Sequence, residues 1–298
     1  MKSVVVLLSS YNGEQYIKEQ IESIFNQKDV DVYLMIRDDG SIDKTVEIIE
    51  EMSFDKKIKL IKGENIGYIK SFDYLIRYAP QADFYAYADQ DDVWMDDKLK
   101  KAIEQIEGDY PMLYAGNAYV TDDKLNKKGL FNKREENYFD HICKILNSGA
   151  QGCTLVFNEA LRKNVNKYYP INIWPHDYWL TTLCLFIGQV KYDPEPHMLY
   201  RQHSFNVTGG DLGFQNKIRK SKDSLKRSFT APWSRLAEDL LEGYSDLISE
   251  KDQKILKELV LYKRSVENKV KLLFDPNFKK ENWVKNIFLK FLILFNRV

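Results

Sequence analysis

Cysteine is scarce in this chain of 298 residues: Cys143, Cys153 and Cys184 form an odd set without C-x-x-C spacing. That excludes a disulfide framework or a zinc knuckle and predicts reduced, mostly buried thiols in a cytoplasmic protein. Glycine and proline, 14 and 8, are too few for a collagen-like or low-complexity chain. No G-x-G-x-x-G occurs, which removes the dehydrogenase fingerprint, and four histidines without H-E-x-x-H give a zinc hydrolase little support. No uncharged apolar run approaches the roughly 20 residues that span a bilayer. The opening Val4-Val5-Val6-Leu7-Leu8 is shorter than a signal-peptide core and runs into polar Ser9-Ser10-Tyr11-Asn12, so it reads as a buried strand. Charge of one sign is also lacking, with 44 Lys+Arg against 44 Asp+Glu, which argues against nucleic-acid binding by massed cationic charge. The balance conceals a split: residues 201–298 carry 20 basic and 12 acidic side chains, and residues 1–200 carry 24 and 32.

What the chain does have is alternation. Short apolar runs at 3–9, 31–37, 58–62 and 83–88 predict strands, and helical periodicity at 14–27, 43–52 and 66–79 predicts the crossovers of a largely parallel α/β sheet. A strand at 112–120, an exposed charged loop at 122–137, a helix at 176–187 and a strand pair through 189–202 complete this half. Past Gly209-Gly210 the pattern becomes helical: a basic stretch at 215–235, an amphipathic helix at 236–248, a long helix at 253–274 and a last one at 283–295. The expected division is therefore a domain over 1–210 and a helical, basic region over 211–298.

Polar residues cluster where strands end. Ser10-Tyr11-Asn12-Gly13 follows the first strand, Asp38-Asp39-Gly40-Ser41 the second and Asp89-Gln90-Asp91-Asp92 the fourth. In open α/β sheets ligands bind outside the carboxyl ends of the strands, the edge all three clusters would share. Paired carboxylates repel unless a cation lies between them, and hard oxygens suit Mg²⁺ or Mn²⁺; the plain alternative is a cap for the next helix. Asp38 and Asp39 suit either a turn or a nucleotide pocket, and Tyr11 offers a ring for base stacking. Lys70 would bring a cation near phosphates or sit solvated on a helix surface. Asp177, in Trp174-Pro175-His176-Asp177-Tyr178-Trp179, is either an N-cap or a catalytic carboxylate. His203 is a candidate metal ligand or phosphate contact.

Taken in order, Leu8–Gly13, Ile36–Asp43, Asn65-Ile66-Gly67 and Ala88–Trp94 resemble the inverting nucleotide-sugar glycosyltransferases of family two, which have the GT-A fold. Gly152-Cys153-Thr154, His176–Trp179 and Tyr200-Arg201-Gln202-His203 resemble the bacterial rhamnosyltransferase-type branch. The resemblance covers about residues 1–210. It implies that Tyr11 and Asp39, with Asp38 beside them, hold the base, that Lys70 approaches the base or diphosphate, and that Asp89 and Asp91 match the D-x-D motif. Asp91 is then the first choice for direct metal contact, with Asp89 acting mainly through the ribose, and His203 stays a candidate metal ligand or phosphate contact. Asp177 falls where the family carries its general base. The Q-x-x-R-W motif of processive synthases is missing, so one sugar per encounter is expected.

The mechanism implied is Mn²⁺- or Mg²⁺-dependent transfer of rhamnose or a hexose from a nucleoside diphosphate donor to a hydroxyl of a glycan or lipid-linked glycan. Trp94 and Trp179 are candidates for packing against the acceptor sugar, with core positions as the alternative. The rivals are a sugar nucleotidyltransferase, whose Gly-rich, Arg-containing first loop is not found here, and a non-catalytic carbohydrate-binding protein. The C-terminal segment, with Trp283, Ile287, Phe288 and Phe291 among Lys279, Lys280, Lys285, Lys290 and Arg297, suits an anionic membrane interface or a packed helix on the core or on a second copy. A cytoplasmic enzyme, peripheral at the inner face of the cell membrane, follows from the first of these.

Overall fold

The computed structural model describes residues 1–134, 136–140, 142–146, 149–203, 233–280 and 283–298. Strands β1 (Lys2–Ser10), β2 (Val30–Asp38), β3 (Ile58–Lys62) and β4 (Phe84–Ala88) lie parallel in the order β3-β2-β1-β4. Helices α1 (Ile17–Phe25), α2 (Thr45–Met52) and α3 (Tyr68–Tyr78) are the crossovers. β1 and β4 are buried through nearly their whole length because both faces of the sheet are covered. Alternation divides them: Val5, Leu7, Tyr85 and Tyr87 enter one core, and Val4, Val6, Leu8, Phe84 and Ala86 enter the other. Register pairs Leu8 with Ala88 and Ser10 with Asp38, so the three polar clusters leave the sheet at one edge.

Beyond β4 the sheet becomes mixed. After β5 (Val93–Trp94) and α4 (Lys98–Gln105) come β6 (Met112–Thr121), the exposed β7 (Lys127–Leu130), β8 (Leu155–Asn158), α5 (Glu159–Val165), α6 (His176–Ile187) and β9 (Gln189–Arg201). β8 pairs antiparallel with β4 and β6, and β9 runs parallel to β6. The strand pair expected over 189–202 is one strand of 13 residues. Its register against β6 slips near Asn117, opposite Pro194 and Pro196, which cannot donate to the ladder.

The C-terminal helices are α7 (Trp233–Tyr244), α8 (Glu250–Leu261), α9 (Val266–Phe274) and α10 (Trp283–Leu294). The single helix expected over 253–274 is broken between α8 and α9. Ser265 has extended backbone angles and its side chain accepts from the Asn268 N–H at 3.3 Å, so it starts a new helix. Leu236, Leu240, Tyr244, Leu256, Leu259, Leu272 and Leu292 join the same core as Val5 and Tyr85. Buried Asp239 fastens α7 to the sheet domain, accepting from Trp174 Nε1 at 2.8 Å, Asn172 Nδ2 at 3.0 Å and the Ile171 N–H at 2.9 Å. The expected boundary at 208–213 and residues 215–232 of the basic stretch lie outside the described residues. Among the described residues no helix is long and apolar enough to cross a membrane.

Candidate active site

The loops after β1 and β2 are tied side chain to backbone. Asn12, in a left-handed conformation, accepts the Ile42 N–H at 2.9 Å, while its own N–H donates to Ser41 Oγ at 2.9 Å. Asp38 is saturated: Oδ1 accepts from the backbone of Gly40 and Ser41, and Oδ2 from the hydroxyls of Ser10 and Ser41. Gly40 at φ +85° allows this tight turn, which a side chain would strain. Asp39, also buried, pairs with Arg37 and accepts the N–H groups of Ile66 at 3.0 Å and Gly67 at 2.8 Å. Three of its roughly four acceptor positions are used, so one remains. Tyr11 is 47% exposed at this edge. Lys70 is exposed on the first turn of α3.

Gln90 joins the acidic loop to the first one. Its Oε1 accepts the Tyr11 N–H at 2.9 Å and its Nε2 donates to the Tyr11 carbonyl at 3.0 Å, a two-point clamp. The loop's carboxylates diverge in environment. Asp91 Oδ2 lies 2.8 Å from His203 Nε2, and the His203 ring stacks on Tyr16 at 4.7 Å. Asp92 points inward: Oδ1 accepts the Arg201 N–H at 3.2 Å, and Oδ2 is buried with no hydrogen-bond partner among the described residues. Burial, then Asp91 and Asp177, push Asp89 up to about 7.

Among the described residues one set of ligand atoms comes together at Asp89. It is that of Asp89, Asp92 and Cys153, whose ligand atoms lie within 4.8 Å of one another. Lys98 already places a cation beside it: the side chain is buried, Nζ donates to the Cys153 carbonyl at 2.6 Å and sits 3.5 Å from the centre of the Trp94 ring. Burial lowers Lys98 to about 7 against the opposing pull of Asp92 and Asp89. The Cys153 thiol is held well above its ordinary value, first by burial, and a neutral thiol is a poor ligand for a hard ion. Asp91 and His203, in contact with one another, offer oxygen and imidazole donors of the kind Mn²⁺ or Mg²⁺ takes, but among the described residues they do not close into one cluster with Asp89.

Asp177 is brought to the same place from a distant part of the chain. It stands in the first turn of α6, whose N-cap is Pro175, and its Oδ1 accepts the adjacent Tyr178 N–H at 2.7 Å. A methyl group on Gly152 would lie 3.5 Å from Asp177 Cβ and 2.6 Å from His176 Nε2, so glycine lets α6 approach the segment that carries Cys153. His176 packs face to face with Phe72 at 3.9 Å and edge-on to Tyr87 at 4.8 Å. Both ring nitrogens are buried without partners, and burial lowers it to about 4.

Trp94 and Trp179 are placed otherwise than on an acceptor. They are 4% and 6% exposed and lie one in each core, where alternation along β5 and the inner face of α6 puts them; neither presents a ring to solvent. Sequence reasoning missed Gln90, Lys98 and Arg201. Arg201 binds the Asp91 carbonyl at 2.9 Å and the Asp123 carbonyl at 2.5 Å and pairs with Glu19, clamping the acidic loop to α1 and to the turn after β6. Its signal is present in Tyr200-Arg201-Gln202-His203, which carries the resemblance and His203 but does not single out the arginine.

An α/β sheet with an acidic loop after its central strand, an exposed tyrosine at the same edge and a further carboxylate on a distant helix makes a candidate nucleotide-sugar site. The model of the family described as glycosyl transferase family 2 matches residues 5–166. The chain is 31% identical over 226 residues to a dTDP-rhamnosyl transferase, RfbG, of Shigella flexneri, covering 72% of this chain and 77% of that one. It is 25% identical over 224 residues to WfaP of Escherichia coli, a UDP-Glc:alpha-D-GlcNAc-diphosphoundecaprenol beta-1,3-glucosyltransferase, covering 74% and 85%. Among solved structures, residues 1–349 of TarS from S. aureus match at a TM-score of 0.56 with 17% identity, over all of this chain and 81% of that one. The mannosyltransferase PcManGT of Pyrobaculum calidifontis, solved with GDP-Man and Mn²⁺, matches at 0.50 with 16% identity over 90% and 71%. The chain belongs to glycosyl transferase family 2 and has the GT-A fold, as its motifs led one to expect. It is a glycosyltransferase, and the nucleotidyltransferase and non-catalytic readings give way to that assignment.

Proposed function

We propose that the enzyme transfers one sugar per encounter from a nucleoside diphosphate donor to a hydroxyl of a glycan or lipid-linked glycan, with inversion and with Mn²⁺ or Mg²⁺. The observation that carries this is geometric: Asp89 and Asp91 follow β4, and Asp177 stands in the first turn of α6, which Gly152 lets approach the segment whose Cys153 lies beside Asp89. Deoxythymidine diphosphate rhamnose is the favoured donor, supported by the similarity to the rhamnosyl transferase RfbG. The acceptor class is supported by the diphosphoundecaprenol-linked substrate in the name of WfaP.

Each side chain has a task in this scheme. Tyr11 stacks on the base, and the remaining acceptor position of Asp39 takes a pyrimidine N–H. Asp38, with its acceptor positions filled, shapes the loop instead. Asp91 and His203 would hold the divalent cation, which supplies charge stabilisation to the departing diphosphate. Lys70 adds positive charge from the start of α3. Asp177 takes the proton of the acceptor hydroxyl as that oxygen attacks the anomeric carbon, a contribution of roughly 10²–10⁴ in rate. His176, kept neutral by burial, puts no positive charge of its own beside Asp177.

A thermal-shift panel tests the donor assignment. Deoxythymidine diphosphate rhamnose with Mn²⁺ should raise the melting temperature more than uridine diphosphate glucose or guanosine diphosphate mannose. At 100 times its dissociation constant a ligand stabilises by about 2.7 kcal/mol. Equal shifts with Mn²⁺ and with EDTA would contradict metal-assisted donor binding. The anomeric configuration of the product, read by NMR, decides inversion.

A further inference from the structure

Helix α10 buries one side and exposes the other. Leu289, Leu292 and Ile293 belong to the core beneath it, and the chain end returns so that Val298 is buried as well. Trp283, Val284, Ile287, Phe291, Leu294 and Phe295 are 47% to 73% exposed. At about 100° per residue, these six positions fall within an arc of roughly 120°, opposite the buried three. The Phe291 and Phe295 rings lie 4.4 Å apart, so the stripe is continuous at its end. A contiguous apolar stripe of this size marks an interaction surface.

Charge selects the partner. The 12 residues of α10 carry no acidic side chain; Lys290 borders the stripe, Lys285 falls on the far side, and Lys279 and Arg297 stand exposed near either end of the helix. The described residues 233–280 and 283–298 carry 13 basic and 9 acidic side chains, the same sign. At about 1.5 Å per residue the helix is roughly 18 Å long, too short to cross a bilayer but suited to lying in its interface. We propose that the exposed face of α10 docks on an anionic lipid surface, with the apolar stripe in the headgroup boundary and the basic side chains at the phosphates. A second copy of this chain fits less well, because a two-fold contact would set the same basic helix against itself. The inference stands apart from the choice of donor sugar.

The test is co-sedimentation of the full chain with vesicles of phosphatidylcholine alone or mixed with phosphatidylglycerol. Binding is expected to the mixed vesicles only and to weaken in 0.5 M salt. The double substitution Ile287→Glu and Phe291→Glu should abolish it, with the melting temperature and the donor-induced shift unchanged. Lys290→Gln with Arg297→Gln keeps the apolar stripe and should lower partitioning on the order of thirtyfold; it decides the matter if the glutamates disturb folding. An intact chain that stays in the supernatant with mixed vesicles at low salt overturns the proposal. So does a lipid-free dimer that the glutamate pair dissociates, which would assign the stripe to a second copy.

Discussion

At the scale of single residues, the site depends on carboxylates given different surroundings. Asp91→Ala removes one of the charges that raise Asp89 and loses the contact with His203. The two losses oppose each other, so the metal-free melting temperature should move by only a few degrees. Mn²⁺-dependent donor stabilisation should vanish and turnover fall at least a hundredfold; turnover within tenfold of wild type would remove Asp91 from the metal site. His176 gives a pH signature. Its folded value is depressed to about 4 from 6.5, so its contribution is present above 6.5 and is lost as pH falls toward 4. Urea unfolding at pH 7 and pH 4.5 should show a drop in wild type that His176→Phe reduces by up to about 3 kcal/mol. An identical drop in both proteins would show that His176 is free to protonate in the folded state.

At the scale of elements, strands were more legible than helices. Lys2–Ser10 could be read from its apolar run because two-sided burial leaves no other composition for a parallel strand, whereas Ile58–Lys62 is an edge strand with no fully buried residue, legible from its short β-branched run among lysines. The break at Ser265 was hidden, since Lys263-Arg264-Ser265 continues an amphipathic period and only the cap hydrogen bond announces a new start. The acidic motif was legible as chemistry. Its supports were not: Gln90 looks like a spacer between acids, and Lys98 in Asp97-Lys98-Leu99-Lys100 looks like one surface lysine among several. Periodicity places Trp94 on neither side of the question, because an aromatic suits a core and a sugar platform equally. Lys98 therefore supplies the element-scale prediction. Lys98→Met leaves the Cys153 carbonyl without the donor it has in Lys98 Nζ, and an unsatisfied buried acceptor costs about 1–3 kcal/mol. Chemical denaturation in EDTA should show that loss; a change below about 0.5 kcal/mol would mean the Cys153 carbonyl does not lean on Lys98.

At the scale of the molecule, one sheet edge gathers residues separated by most of the chain. Tyr11, Asp39 and Asp89 are carried there by β1, β2 and β4, His203 by the end of β9, and Asp177 by α6 through the gap at Gly152. The C-terminal helices share a core with that sheet on one side and display an apolar, basic face on the other. The most direct measurement of the central claim is release of nucleoside diphosphate by the purified enzyme given deoxythymidine diphosphate rhamnose, Mn²⁺ and a hydroxyl acceptor, compared with Asp177→Asn and with EDTA. Acceptor-dependent release in wild type should be lost in EDTA. In Asp177→Asn it should fall at least about a hundredfold while donor affinity stays unchanged, because the amide keeps the shape and cannot take a proton. Asp177→Asn turnover equal to wild type, or full activity in EDTA, would contradict the account.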